Sequence, residues 1–210
     1  MVYQVVYDLI RDQHRVMKSH KYHFGTKILV GTYRDWRDAA VSYWRVRQGM
    51  DVNKLCYSKV DTSQRTESVG REQQLGMMNE ADVANHVEWM KRCVIDTDFY
   101  LNMMDFNKAV WLRYESYVHD FDYMFDKLSE FFDMEIPYSR RELLVTKYSM
   151  DSNRERAEKL RDFLEYDPVH KIHGNHVLDG AVGGWQRFVP AELQPMMTEG
   201  LAEELQRYGY

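Results

Sequence analysis

Only two cysteines, Cys56 and Cys93, occur in 210 residues, so no disulfide framework holds this chain together and a reduced compartment fits it best. No run approaches the ~18 consecutive apolar residues of a membrane-spanning helix. Positive charge is not in excess either. The 28 Lys and Arg stand against 33 Asp and Glu, a net charge of −5, which excludes a general nucleic-acid binder while leaving room for a local basic pocket. The opening MVYQVVYDLIRDQH carries acidic residues and lacks the charged-then-apolar design of a secretion signal. Internal repeats and low-complexity tracts are missing as well. These absences predict a cytoplasmic protein with no membrane and no nucleic-acid partner. What is present is globular: 44% hydrophobic and 14% aromatic residues are enough to build one domain with a sizeable core over residues 1–210.

The chain is organised around residues 27–49, KILVGTYRDWRDAAVSYWRVRQG. Lys27-Ile28-Leu29-Val30-Gly31-Thr32 reads as a short buried strand. A polar turn, Tyr33 to Asp38, follows it. Ala39, Ala40, Val41, Tyr43 and Trp44 then bring in helical spacing, with Gly49 as a natural stop. A polar turn at the carboxyl end of a sheet strand is where ligands collect in open α/β sheets. Arg34 sits at that end and Ser42 two helical turns beyond. A guanidinium fork plus a hydroxyl suits a phosphate monoester. The plainer alternative is a solvated Arg in a turn and a Ser packed on a helix.

Before this stretch, residues 3–13 read as a helix burying Val5, Val6, Leu9 and Ile10, and Arg15 to His20 as a strand ending in polar residues. Residues 50–79 are polar and weakly periodic, a long loop of the kind that covers a site. Asn79 or Glu80 opens a helix carried by Val83, Val87, Trp89, Met90 and Val94, and the next ten residues read as a second helix. Lys108 to Tyr114 is the clearest later strand. Phe121, Met124, Phe125, Leu128, Phe131 and Phe132 mark an amphipathic helix. Ser139 with Glu142 has capping-box spacing for the next one, which breaks near Met150 and runs to about Glu165. Four glycines in residues 166–189 indicate a loop, and a last helix covers Leu193 to Tyr208. Strands alternating with helices predict an α/β fold with helices on both faces of the sheet.

Three stretches together resemble the sulfotransferases that use 3′-phosphoadenosine 5′-phosphosulfate (PAPS). Val16-Met17-Lys18-Ser19-His20 resembles the family's strand ending in Lys-Thr-His. Arg34 through Ser42-Tyr43 is similar to its Arg-Asn-Pro-Lys-Asp-x-x-x-Ser-Tyr segment. Leu112-Arg113-Tyr114-Glu115-Ser116 is similar to its Tyr-Glu-Asp-Leu strand end. Gly183-Gly184-Trp185 then looks like its Gly-Asp-Trp element. Order and approximate spacing agree from about residue 14 to the C-terminus.

The resemblance implies a parallel-sheet, P-loop-like α/β fold and transfer of a sulfuryl group from PAPS to the hydroxyl or amine of a small-molecule or carbohydrate acceptor. It places Arg34 and Ser42 on the 3′-phosphate of PAPS, His20 as general base, Lys18 at the bridging or sulfuryl oxygens and Tyr114 near the adenine. The loop from Gly180 to Trp185 would close over the 3′-phosphate side, and no metal is involved. The chemistry suits the residues: Lys18 and His20 share one face of a strand, a neutral imidazole accepts a proton near neutral pH, and an ammonium steadies growing negative charge.

Two departures stand out. The family's first strand, phosphate-cradling loop and helix have no counterpart in the residues before Lys18. The expected unit is therefore a single sulfotransferase-like domain, incomplete at its N-terminal side and completed by a separate segment or a homo-oligomer. Leu178-Asp179-Gly180 also stands where the family has Arg-Lys-Gly. Two alternatives follow: a non-catalytic relative that keeps only nucleotide binding or the fold, and a metal-binding or interaction protein built on His170, His173 and His176, for which no fourth ligand is evident.

Overall fold

In a computed structural model, residues 1–13, 27–57, 76–103, 108–160, 165–170, 172–174 and 180–210 are described. The predicted strand at 15–20, with Lys18 and His20, lies outside them. The chain is a helix-rich mixed α/β structure with a small parallel sheet, and its contacts divide it into two compact units. No helix among the described residues is long and apolar enough to cross a membrane.

The first unit comprises Met1–Arg34, Thr97–Arg161 and Glu165–Gly180. Its sheet pairs β1 (Ile28–Tyr33) with β2 (Lys108–Arg113) in parallel, Ile28 opposite Lys108 through Tyr33 opposite Arg113. Both strands fall where the apolar, β-branched runs place them. Gly31 faces Trp111 across the sheet, and the indole lies over the glycine. A Cβ built on Gly31 would sit 2.8 Å from Trp111 Cη2 and closer still to two other ring atoms. Gly31→Ala must displace the ring, so a loss of about 1–3 kcal/mol in urea unfolding is expected. A change below 0.5 kcal/mol would show that the indole moves aside freely.

The core of this unit is built by α1 (Val2–Ile10) and α5 (Phe121–Phe132) together with Leu112 and the start of α6 (Tyr138–Tyr148). Val2, Val5, Val6, Ile10, Met124, Phe125, Leu128, Ile136 and Leu144 are all buried in it. The amphipathic spacing of α5 is the reason it forms: Met124, Phe125 and Leu128 lie on one stripe, and each fully buried side chain contributes about 1.5–3 kcal/mol. Asp120 caps its start by accepting from Tyr123 N–H (3.1 Å), and Asp133 ends it in the left-handed conformation (φ 52°).

Asp8 links α1 to α6. Its nearly buried carboxylate accepts from Lys147 Nζ and Tyr148 Oη, each at 2.7 Å. Burial opposes ionisation there, but the hydrogen bonds from Lys147 and Tyr148 outweigh it and hold the carboxyl below its ordinary value. A depressed carboxylate stabilises the fold above its unfolded pKa of about 3.9, and that stability is lost as pH falls through the folded value. Asp8→Asn should therefore cost about 1–2 kcal/mol at pH 7 and progressively less below about pH 4. Urea midpoints of both proteins at the two pH values check this; a gap that does not change with pH contradicts it.

Several boundaries differ from the sequence reading. α2 (Trp36–Tyr57) runs through Gly49, because one glycine costs a helix interior only about 1 kcal/mol. Of the loop expected over residues 50–79, residues 50–57 are helical and 58–75 lie outside the described residues. α3 (Glu80–Met103) is one helix where two were expected. α6 is capped at Pro137, whose carbonyl accepts from the Arg140 and Arg141 amides, so Ser139 is already inside the helix and the capping box does not form. The break near Met150 is real: Ser149 ends α6 and caps α7 (Met150–Lys159), which stops short of Glu165. The glycine-rich region holds a small antiparallel pair, β3 (Tyr166–Asp167) and β4 (Ile172–His173).

The second unit comprises Asp35–Asp96, Asp162–Leu164 and Ala181–Tyr210. Here α2 and the Glu80–Asp96 part of α3 bury Ala40, Val41, Trp44, Val83, Val87, Met90 and Val94. The 3-10 turn Gly184–Arg187 and the helices α8 (Gln194–Gly200) and α9 (Ala202–Arg207) add Trp185, Phe188, Met197, Leu201 and Leu205. The last helix expected from Leu193 is thus two short ones.

Candidate functional site

In the first unit the carboxyl end of the sheet gathers three of the predicted site residues. Tyr33 and Arg113 are register partners in parallel strands, so the residues that follow them, Arg34 and Tyr114, leave the sheet side by side. The Arg34 guanidinium lies over the Tyr114 ring, 4.6 Å from its centroid, a cation–π geometry. Tyr114 opens the short helix α4 (Tyr114–Tyr117), and its hydroxyl donates to the Gly180 carbonyl at 3.0 Å. Gly180 has φ +63°, and a Cβ there would stand 2.8 Å from Tyr114 Oη, so only glycine fits this approach.

Behind the pair, Tyr117 meets Tyr114 edge-on, with centroids 5.5 Å apart at 80°. Burial pushes the Tyr117 hydroxyl far above its ordinary pKa, with the neighbouring Tyr114 adding to the shift and the Arg34 charge opposing it. Tyr117 is thus a neutral buried wall behind the pair at neutral pH. Glu115 sits 3.4 Å from Arg113 in an ion pair.

In the second unit the start of α2 is the organising element. Asp35 caps it: its carboxylate accepts from the Arg37 amide (2.8 Å) and holds the Arg37 guanidinium by three further bonds, Nε to both oxygens at 3.0 and 3.2 Å and Nη2 at 2.7 Å. Asp38 is only 2% exposed. Its two oxygens accept from the Gly183 and Trp185 amides, at 2.9 and 2.8 Å. Gly183 adopts φ +72° to open that turn, and Trp185, 4% exposed, lies beneath the Arg37 guanidinium at 4.8 Å. Ser42 follows Asp38 by one helical turn on α2 and is half-buried.

Arg34, Tyr114 and Gly180 are therefore brought together, and Trp185 is tied to the beginning of α2. Lys18 and His20 lie outside the described residues. The sequence reading missed Asp35, Arg37 and Asp38. An Asp in the first helical turn looks like an ordinary dipole or cap partner, and nothing in the one-dimensional pattern says that Asp38 reaches the amides of residues 183 and 185. Of the three histidines proposed as metal ligands, His170 Nδ1 bonds Asp167 Oδ2 at 2.6 Å and His173 packs on Tyr166, while His176 lies outside the described residues. No group of three or more His, Cys, Asp or Glu among the described residues is arranged to hold a metal.

No protein-family model matches the chain, and no curated protein does. Among solved structures, mouse sulfotransferase SULT7A1 complexed with PAP is similar to this chain, with a TM-score of 0.48 and 17% identity over 86% of its residues. The chain spans 58% of the length of that structure.

Proposed function

We propose that this chain is a sulfotransferase domain that binds PAPS and passes its sulfuryl group to an acceptor hydroxyl. The observation that carries the reading is the Arg34–Tyr114–Gly180 cluster: three segments far apart in sequence, each part of the motif pattern, meet at the carboxyl end of a parallel sheet. A guanidinium over an aromatic ring can bond an anion through its N–H groups, which suits a phosphate. On this reading Arg34 takes the 3′-phosphate of the nucleotide, with Tyr114 and Gly180 beside it. Ser42 and Trp185 keep the cofactor roles that the sequence resemblance gives them. PAPS supplies the sulfuryl group, and PAP is the leaving product. His20 accepts the proton of the acceptor hydroxyl as that oxygen bonds to sulfur, and Lys18 steadies the charge that grows on the bridging oxygen. The acceptor is a small molecule or a carbohydrate.

A second reading, nucleotide binding without transfer, is favoured by one observation: Leu178-Asp179 stands where two cationic residues are expected. Calorimetric titration with PAP, followed by a transfer assay with radiolabelled PAPS and a panel of phenols and sugars, separates the two. Binding with transfer supports the enzyme; binding with no transfer to any acceptor supports the second reading. No heat on titration with PAP overturns both.

A further inference from the structure

We infer that Tyr114 is a positioning residue that sets the preference of this chain for a 3′-phosphorylated nucleotide; the inference rests on the proposed function. The tyrosine makes two contacts with different parts of its side chain. Its ring face carries the Arg34 guanidinium at 4.6 Å, and its hydroxyl donates to Gly180 O at 3.0 Å. The first contact confines the guanidinium to one face of the ring, and so limits the directions in which its N–H fork can point. A long arginine side chain otherwise spreads over many rotamers, and a fork that is already oriented loses less freedom when it grips a dianion. The second contact fixes backbone, at a glycine whose positive φ and 2.8 Å approach to the hydroxyl leave no room for a side chain.

The tyrosine is itself held from two directions. Its backbone follows Arg113, the register partner of Tyr33, and its ring rests on the edge of buried Tyr117. The ring therefore serves as a rigid platform for Arg34. The ring face acts on the guanidinium that meets the phosphate, whereas the hydroxyl acts one step removed, through the Gly180 backbone. A 3′-phosphate should therefore sense loss of the ring more strongly than loss of the oxygen.

The test compares Kd for PAP with Kd for AMP, which lacks the 3′-phosphate, in wild type, Tyr114→Phe and Tyr114→Leu. The AMP-to-PAP ratio isolates what the 3′-phosphate contributes. Tyr114→Phe keeps the platform and loses only the hold on Gly180, so the ratio should fall by no more than about threefold. Tyr114→Leu removes it, and the ratio should fall about tenfold; any contact of the ring with the adenine is common to both nucleotides and cancels in the ratio. In an Arg34→Ala background Tyr114→Leu should leave the ratio unchanged, because its effect passes through Arg34. Should the leucine variant fail to fold by circular dichroism, Tyr114→Met is read in its place with the same expectation. Equal loss of PAP and AMP affinity in the aliphatic variant overturns the inference while the proposed function stands. Wild type that binds neither nucleotide overturns both.

Discussion

Asp38→Ala lowers the folding stability by about 3 kcal/mol, measured by urea unfolding. The carboxylate is 2% exposed and accepts two backbone N–H groups, from Gly183 and Trp185. Hydrogen bonds to a charged acceptor contribute about 1.5–3 kcal/mol each, and alanine leaves both amides without their acceptor. Removing a buried charge recovers part of its desolvation cost, which is why the net figure is below the sum of the two bonds. The carboxylate also sits in the first turn of α2, where the helix dipole favours negative charge. Asp38→Asn retains one acceptor oxygen but turns an NH2 group towards the second amide, so about 2 kcal/mol is expected. Trp185 should become more exposed in both variants, visible as a red-shifted tryptophan emission. An alanine variant within 0.5 kcal/mol of wild type would mean that these two bonds are replaced by water at no cost.

On the proposed function, Arg34→Ala should weaken PAP binding about 100-fold while leaving AMP binding within about twofold. The expectation combines a charged, forked contact to a dianion with its orientation by Tyr114, together about 3 kcal/mol. Folding should change by less than about 1 kcal/mol, since Arg34 is half-buried and its ring contact is a single cation–π pair. Arg34→Lys keeps the charge but loses the planar fork, and about a tenfold loss is expected. Calorimetry on folded variants measures all three quantities. PAP affinity within threefold of wild type for Arg34→Ala would remove the basis for assigning this end of the sheet to a phosphate.

Elements with strong local patterns were legible in the sequence. Ile28 to Tyr33 and Lys108 to Arg113 are short apolar runs bounded by polar residues, and both are strands. The Met124–Phe125–Leu128 stripe announced α5, and Val5, Val6 and Ile10 announced α1. Misreadings fell where local propensity is weak beside its context. Gly49 looked like a stop because glycine is costly in a helix, yet its cost is small beside the propagation of α2 on either side. Ser139 looked like a cap because Glu142 follows at the right spacing, but the extended backbone of Pro137 already occupied that position. The aromatic residues of α3 read as two helices, although nothing in DTDFYLNMM breaks one.

The sequence by itself determined that a strand over Lys27 to Thr32 runs into a polar turn carrying Arg34, and that a second strand leads up to Tyr114 about 80 positions later, although Tyr114 opens a short helix where the pattern placed it in the strand. Hydrophobic periodicity and turn chemistry are local, and local pattern is enough for that much. Only the tertiary structure decided that these two ends lie beside each other, that the ring of Tyr114 carries the guanidinium of Arg34, and that Gly180 closes on the hydroxyl. Strand register is set by pairing between residues distant in the chain, which no window of sequence contains. The same holds for Asp38. A carboxylate near a helix start is commonplace in sequence, and what makes this one buried and doubly bonded is a turn that the chain forms about 145 residues later.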